Sequence, residues 1–224
     1  RWPAQRSRSI NMTDKQNFIE FLVNQDVLKF GTFTLNSGRQ SPYFFNLGSV
    51  SSGAAYAHLG SAYADAVLQS GIEFDLIFGP AYKGIPIAVA TSLALAERGV
   101  DVGVAYNRKE AKDHGEGGLL VGAPVAGRVL MLDDVLTSGK AIRGAAALIR
   151  AQDADIAGVV IALDRAEVMA DAGQTAVAGL ADELGSPVVS IAHVSDVLDH
   201  LQRIDAHSEA LQAMGAYTQQ YCAL

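Results

Sequence analysis

The chain has 224 residues, half of them apolar and 18% charged, a globular composition rather than a disordered one. Its 17 basic against 24 acidic residues leave a net charge of −7, which argues against a protein built to coat nucleic acid. The uncharged stretch 84–96 falls short of the roughly 18 apolar residues that read as a membrane span, and a single cysteine, Cys222, excludes an internal disulfide framework and fits a reducing cytoplasm.

Residues 1–11 carry Arg1, Arg6 and Arg8 with no acid, ahead of the first methionine, Met12. They read as an upstream extension or cloning remnant, and residues 12–224 as one domain. Thr13 to Gln16 has the pattern of a capping box, with Phe18, Phe21 and Leu22 following at helical spacing. Short strands are expected at 27–35 and 43–47, around the turn Asn36-Ser37-Gly38-Arg39. An Ala-rich helix over 54–69 follows, and Gly71 is placed to end it.

From there apolar runs alternate with helical stretches. The runs are 74–78, 100–106, 129–132, 156–163 and 188–192; helices are expected up to Glu97 and over 139–152. Runs apolar at successive positions are buried on both faces, as in parallel sheets covered by helices. The fold class is therefore α/β, a mostly parallel sheet flanked by helices. The N-terminal helix and strands, roughly 12–50 with part of the C-terminal region, are expected to form a smaller hood over it.

Ligands bind such sheets outside the carboxyl ends of the strands. There the chain places Gly79-Pro80-Ala81-Tyr82-Lys83-Gly84, then 107–118, then Asp133 to Ala141, then Asp164-Arg165. In the third segment a buried strand ends in Asp133 and Asp134 and is followed by Thr137, Ser138 and Gly139 leading into a helix. A turn of free N–H groups at a helix start is an anion site, and two carboxylates beside it need hydroxyl donors or a metal to face. A ribose 5-phosphate supplies both a phosphate and hydroxyls. The second segment, Arg108 to Gly118, holds two of the chain's six lysines and, after them, three glycines. Its glycines predict mobility and its cations an anionic ligand on which it closes.

The stretch 129–141 resembles the phosphoribosyl-pyrophosphate (PRPP) signature of type I phosphoribosyltransferases. Arg108 to Gly118 resembles the catalytic loop of the bacterial orotate phosphoribosyltransferases. Phe30-Gly31, Phe33-Thr34-Leu35, Ser37-Gly38-Arg39, Ser41 to Asn46, 78–86 and Leu163-Asp164-Arg165 agree in order. The resemblance implies the type I phosphoribosyltransferase fold and an enzyme that converts PRPP and orotate, with Mg²⁺, to orotidine 5′-monophosphate and pyrophosphate. It implies that Thr137, Ser138, Gly139, Lys140 and Ala141 cradle the 5-phosphate, with Val135 and Leu136 beside them, and that Asp133 and Asp134 face the ribose hydroxyls. Tyr82, Lys83, Arg108, Lys109, Lys112 and His114 would meet the pyrophosphate side, with Lys112 and His114 on the closing loop. Phe44 and Phe45 would hold the orotate ring through backbone groups and stacking, beside Thr137, and Arg165 would pair with its carboxylate. Mg²⁺ would be held mainly by PRPP and water. The 108–118 loop would act in trans across a homodimer, with neither nucleic acid nor membrane as a partner. One position departs: the family's usual lysine in the Leu-x-Ser-Gly-Arg turn is Asn36 here.

A purine-base phosphoribosyltransferase would share the 133–141 segment but would not need Arg165 or the Ser-Pro-Tyr-Phe-Phe run. A PRPP-sensing regulator would predict a degenerate 108–118 segment and an added module; here the segment is intact. Fusion to the decarboxylase of the next step does not fit the length, since that barrel needs about 250 residues. His193, His200 and His207 recur every seven residues, about 10 Å apart on a helix, so they do not share one metal. No nucleotide-binding P-loop, dinucleotide fingerprint, nucleophile elbow or H-E-x-x-H motif occurs, and Cys222 has no partner argued from the sequence.

Overall fold

A computed structural model describes residues 12–35, 38–112, 118–137, 139–169, 173–204 and 208–224. Helix α1 (Met12–Asn24) leads into an antiparallel hairpin of β1 (Leu28–Thr34) and β2 (Gln40–Phe45). Then follow α2 (Gly53–Ser70), β3 (Leu76–Gly79), α3 (Gly84–Glu97), β4 (Gly103–Lys112), β5 (Gly118–Gly122), β6 (Arg128–Val135) and α4 (Lys140–Arg150). The chain closes with β7 (Asp155–Asp164), α5 (Ala176–Leu184), β8 (Val188–His193), α6 (Val194–Ile204) and α7 (Glu209–Tyr221).

The main sheet has the order β5-β4-β3-β6-β7-β8, parallel except for β5. Its strands alternate their side chains between two cores. Ile77, Leu130, Leu132, Val160 and Ala162 face the core shared with α2 and α3. Leu76, Phe78, Val129, Met131, Val159 and Ile161 face the core shared with α4 and α5. Both faces being buried is why these runs are apolar at every position. Where α2 crosses α3, a side chain at Gly60 would meet the Ala90 carbonyl at 2.3 Å, so only glycine permits that approach.

Chain order reverses between neighbouring strands β3 and β6, the first followed outward by β4 and the second by β7 and β8. Such a reversal opens a crevice at the strand ends. The N-terminal helix and hairpin pack on the C-terminal helices, α1 against α6 and β2 against α7.

Three expectations change. The capping box does not form at Thr13: α1 already includes Met12, and the Gln16 side chain donates to the Asp196 carbonyl (3.4 Å) instead of turning back. Tertiary contact with α6 overrides the local pattern. The strand expected at 100–106 starts at Gly103 and runs to Lys112, and Gly118 opens a further strand paired with it, so 107–112 is strand rather than loop. The turn at Asn36 and Ser37, and the tip at 113–117, lie outside the described residues.

Candidate active site

The ends of β3, β4, β6 and β7 bring together most of the residues singled out in the sequence. After β3, the turn to α3 is forced tight: a Cβ on Gly84 would sit 2.7 Å from the Leu132 carbonyl, and one on Gly79 would sit 2.3 Å from the Gly84 carbonyl. The closeness lets Lys83 reach across to β6, where its Nζ pairs with Asp134 Oδ2 at 2.6 Å. The Ala81–Tyr82 peptide in this turn is cis. The Ala81 N–H donates to Asn107 Oδ1 (3.2 Å), fixing the turn to β4, and Lys109 Nζ lies 4.8 Å from the centre of the exposed Tyr82 ring. Arg108 Nη1 donates to the Gly118 carbonyl across the hairpin (3.2 Å).

Asp133 and Asp134 occupy buried positions near the end of β6. The Tyr63 hydroxyl donates to the Asp133 carbonyl at 2.7 Å, and the Asp134 N–H donates to Asp133 Oδ1 at 2.9 Å. The chain then passes through Val135, buried Leu136 and exposed Thr137 to Gly139, which has φ +65° and precedes α4. Helices α2, α5 and α7 are capped by the side chains of Ser52, Thr175 and Ser208. At α4 the capping residue is Gly139, which supplies no side-chain acceptor, and a helix start of this kind suits an anion.

Burial, then the neighbouring Asp134 carboxylate, raises the Asp133 pKa to about 7 from 3.8. The folded protein therefore holds a proton there across a window in which the unfolded chain has lost it. Stability falls as pH rises through that window and stays reduced above it. Asp133→Asn removes the cost while keeping the acceptor for the Asp134 N–H. The variant should be more stable than wild type at pH 8, by at most about 4 kcal/mol, and so unfold at a higher temperature, with the margin closing near pH 4. Thermal unfolding at both pH values checks this; a margin independent of pH would contradict it.

At the end of β7, Arg165 is 8% exposed. Its Nε donates to Glu167 Oε1 (2.8 Å), its Nη2 pairs ionically with the same oxygen (2.6 Å) and donates to Ser41 Oγ (3.3 Å), and its guanidinium lies 4.1 Å from the Tyr43 ring centre. Beyond the hairpin's first strand, Phe44 is exposed and stacks on Phe33 with ring centres 5.5 Å apart. Phe45 points the other way, into the core, as strand alternation requires. Stacking by Phe45 is therefore corrected: only its backbone can face a ligand.

Asn36, His114 and Ser138 lie outside the described residues, and for Lys112 the backbone alone is described, as the last residue of β4. His193 Nδ1 lies 2.9 Å from Ser195 Oγ, His200 is buried in α6, and His207 lies outside the described residues. Sequence reasoning missed Tyr63, Asn107, Glu167 and Tyr217. Cys222 proves to have a partner: its Sγ donates to the Arg165 carbonyl at 3.4 Å, and burial pushes the thiol up to about 11. Only Glu167, two residues from Arg165, had any linear signal.

Among the described residues no three His, Cys, Asp or Glu are grouped to hold a metal ion. No described helix is long and apolar enough to cross a membrane.

Residues 50–180 match the family model for a phosphoribosyl transferase domain. The chain is 50% identical over 211 residues to an orotate phosphoribosyltransferase of Neisseria meningitidis serogroup C, covering 94% of this chain and 99% of that one. It is 52% identical over 208 residues to that of Pseudomonas aeruginosa, covering 92% and 97%. The crystal structure of the Francisella tularensis orotate phosphoribosyltransferase superposes with a TM-score of 0.83 at 36% identity, covering 92% of this chain and all of that one. With the adjacent carboxylates, the glycine-capped helix start and the lysine-bearing turn gathered at one end of a sheet of the same architecture, this chain belongs to the orotate phosphoribosyltransferase family of transferases.

Proposed function

We propose that this chain transfers the phosphoribosyl group of PRPP to orotate, giving orotidine 5′-monophosphate and pyrophosphate in de novo pyrimidine synthesis. The observation that carries the reading is the join of β6 to α4. There Asp133 and Asp134 lead towards the glycine-capped start of α4, with Lys83 across from them.

The roles follow from the chemistry of each group. Backbone N–H groups from Thr137 to Ala141 take the 5-phosphate, and the helix dipole adds to the attraction. Asp133 and Asp134 accept from the ribose hydroxyls. Lys83 neutralises Asp134 in the free protein, and on PRPP binding it turns to the pyrophosphate alongside Arg108, Lys109 and Lys112. The reacting C–O bond breaks with oxocarbenium character, by analogy with glycoside hydrolysis. Cations beside the departing pyrophosphate stabilise the charge that develops there. Orotate is already an anionic nitrogen nucleophile once N1 is deprotonated, so no strong base is needed. Phe44 stacks on its ring and Arg165 pairs with its carboxylate. His114 and Lys112 close over the site and exclude water that would hydrolyse PRPP.

Mg²⁺ belongs with this chemistry, adding charge neutralisation on the pyrophosphate when bound. The two oxygen-donor carboxylates Asp133 and Asp134 fit an ion held mainly by PRPP and water, since Mg²⁺ keeps much of its hydration and binds through few protein groups. A homodimer, with the 108–118 hairpin serving the neighbouring site, is part of the same reading. The exposed Tyr82, Val89 and Leu93 on and before α3 supply an apolar surface for it. We place the enzyme in the cytoplasm, supported by the lone reduced Cys222.

Base selectivity tests the reading. With PRPP and Mg²⁺ supplied, orotate should be consumed and adenine, guanine and hypoxanthine should not; turnover of a purine in place of orotate would overturn it. At the departing position, Asn36→Lys should lower the PRPP KM or raise kcat, because it adds a cation beside a polyanion. Steady-state kinetics decide this, and unchanged values of both would show that the site compensates for the asparagine elsewhere.

A further inference from the structure

Arg165 and Glu167 are two residues apart, yet their side chains meet. The intervening Ala166 makes this possible with φ +50°, a left-handed conformation unusual for a residue with a Cβ. Both of its backbone groups are held: Asp164 Oδ1 accepts from its N–H (2.7 Å), and the Ala223 N–H donates to its carbonyl (2.9 Å). The C-terminal segment is therefore a strap on this turn. The Val168 N–H donates to the Tyr221 carbonyl (2.8 Å), and Cys222 Sγ donates to the Arg165 carbonyl.

The strap also supplies a side chain. The Tyr217 hydroxyl donates to Glu167 Oε1 at 2.6 Å, the same oxygen that accepts from Arg165 Nε and pairs ionically with Nη2. Arg39 Nη1 lies 3.6 Å from the other carboxylate oxygen. Glu167 thus occupies one edge of the Arg165 fork. Nη1, at the other end of the fork, makes no hydrogen bond to any described residue; Nη2 between the two donates to Ser41 Oγ (3.3 Å), and the face is packed on the Tyr43 ring. A guanidinium held in this way presents its Nη1 end to an incoming group. Two guanidiniums against one carboxylate leave a single net positive charge, which suits one incoming carboxylate.

We infer that Glu167 and Tyr217 are positioning residues that aim the Nη1 end of Arg165 at the carboxylate of the base substrate, so that the C-terminal strap sets affinity for orotate. Neither side chain needs to touch substrate. The inference rests on the reading of Arg165 as the carboxylate's partner, and the experiment separates the two.

Orotate and PRPP KM values and kcat should be measured for Glu167→Ala, Glu167→Gln, Tyr217→Phe and Arg165→Lys. Glu167→Ala should raise the orotate KM about tenfold, with kcat and the PRPP KM changed by less than about threefold. Glu167→Gln, which keeps shape and an acceptor, should recover most of that loss. Tyr217→Phe should raise the orotate KM about threefold, and it decides the matter if the alanine variant fails to fold. A merely structural role would move both KM values together or neither, and either result overturns the inference. If Arg165→Lys raises the orotate KM while the Glu167 and Tyr217 variants do not, the positioning role alone is wrong. If Arg165→Lys leaves the orotate KM unchanged, the reading of Arg165 fails and the positioning role falls with it.

Discussion

Arg165→Ala should raise the orotate KM by about 10- to 150-fold while the PRPP KM moves by less than about threefold. The first figure is the loss of a charged, fork-shaped hydrogen-bond pair worth roughly 1.5–3 kcal/mol. The second follows from position. Arg165 stands at the end of β7, against Ser41 and Tyr43 of the hairpin, whereas the phosphate turn starts from the neighbouring strand β6. Calorimetric titration of each substrate separates the two effects. PRPP affinity falling as far as orotate affinity would show that Arg165 acts on the whole site rather than on the carboxylate. The substitution also leaves Glu167 without its main partner, so thermal unfolding must accompany the titration. Tyr217 and Arg39 remain to hold that carboxylate.

The second large effect concerns the hairpin at 103–122. If it serves the neighbouring subunit's site, Lys112→Ala and Arg165→Ala homodimers should each be nearly inactive, because every site lacks one group. In a mixed dimer one site collects both defects and the other neither. Random re-assortment of closed two-fold dimers makes about half of them mixed, so activity should recover to about a quarter of wild type. Each mutant mixed with itself should stay inactive. Confirmed subunit exchange without recovery would show that the hairpin acts within its own subunit.

The strands of the main sheet were legible because they are buried on both faces, so Ile77, Phe78, Leu130 and Met131 need no polar alternation. The β6–α4 site was legible because its groups are consecutive: two acids, a hydroxyl and a glycine at φ +65°. The hairpin was not. Residues 107–112 are mostly polar and pair with an edge strand, as Asn107 does with Leu120, and glycines and charges read as loop. The failed capping box has a similar cause, since Gln16 is drawn to α6 from far along the chain. Least legible was the surround of Arg165. Its anchors Ser41, Tyr217 and Cys222 lie at both ends of the sequence and meet only when the C-terminal strap folds back on β7.

The most direct measurement follows orotate absorbance and released pyrophosphate in one reaction. With purified protein, PRPP and Mg²⁺, orotate should disappear and pyrophosphate accumulate in equal amounts, and omission of PRPP should abolish both. Pyrophosphate release without loss of orotate, or an unchanged orotate signal with all components present, would contradict the assignment of phosphoribosyl transfer to this site.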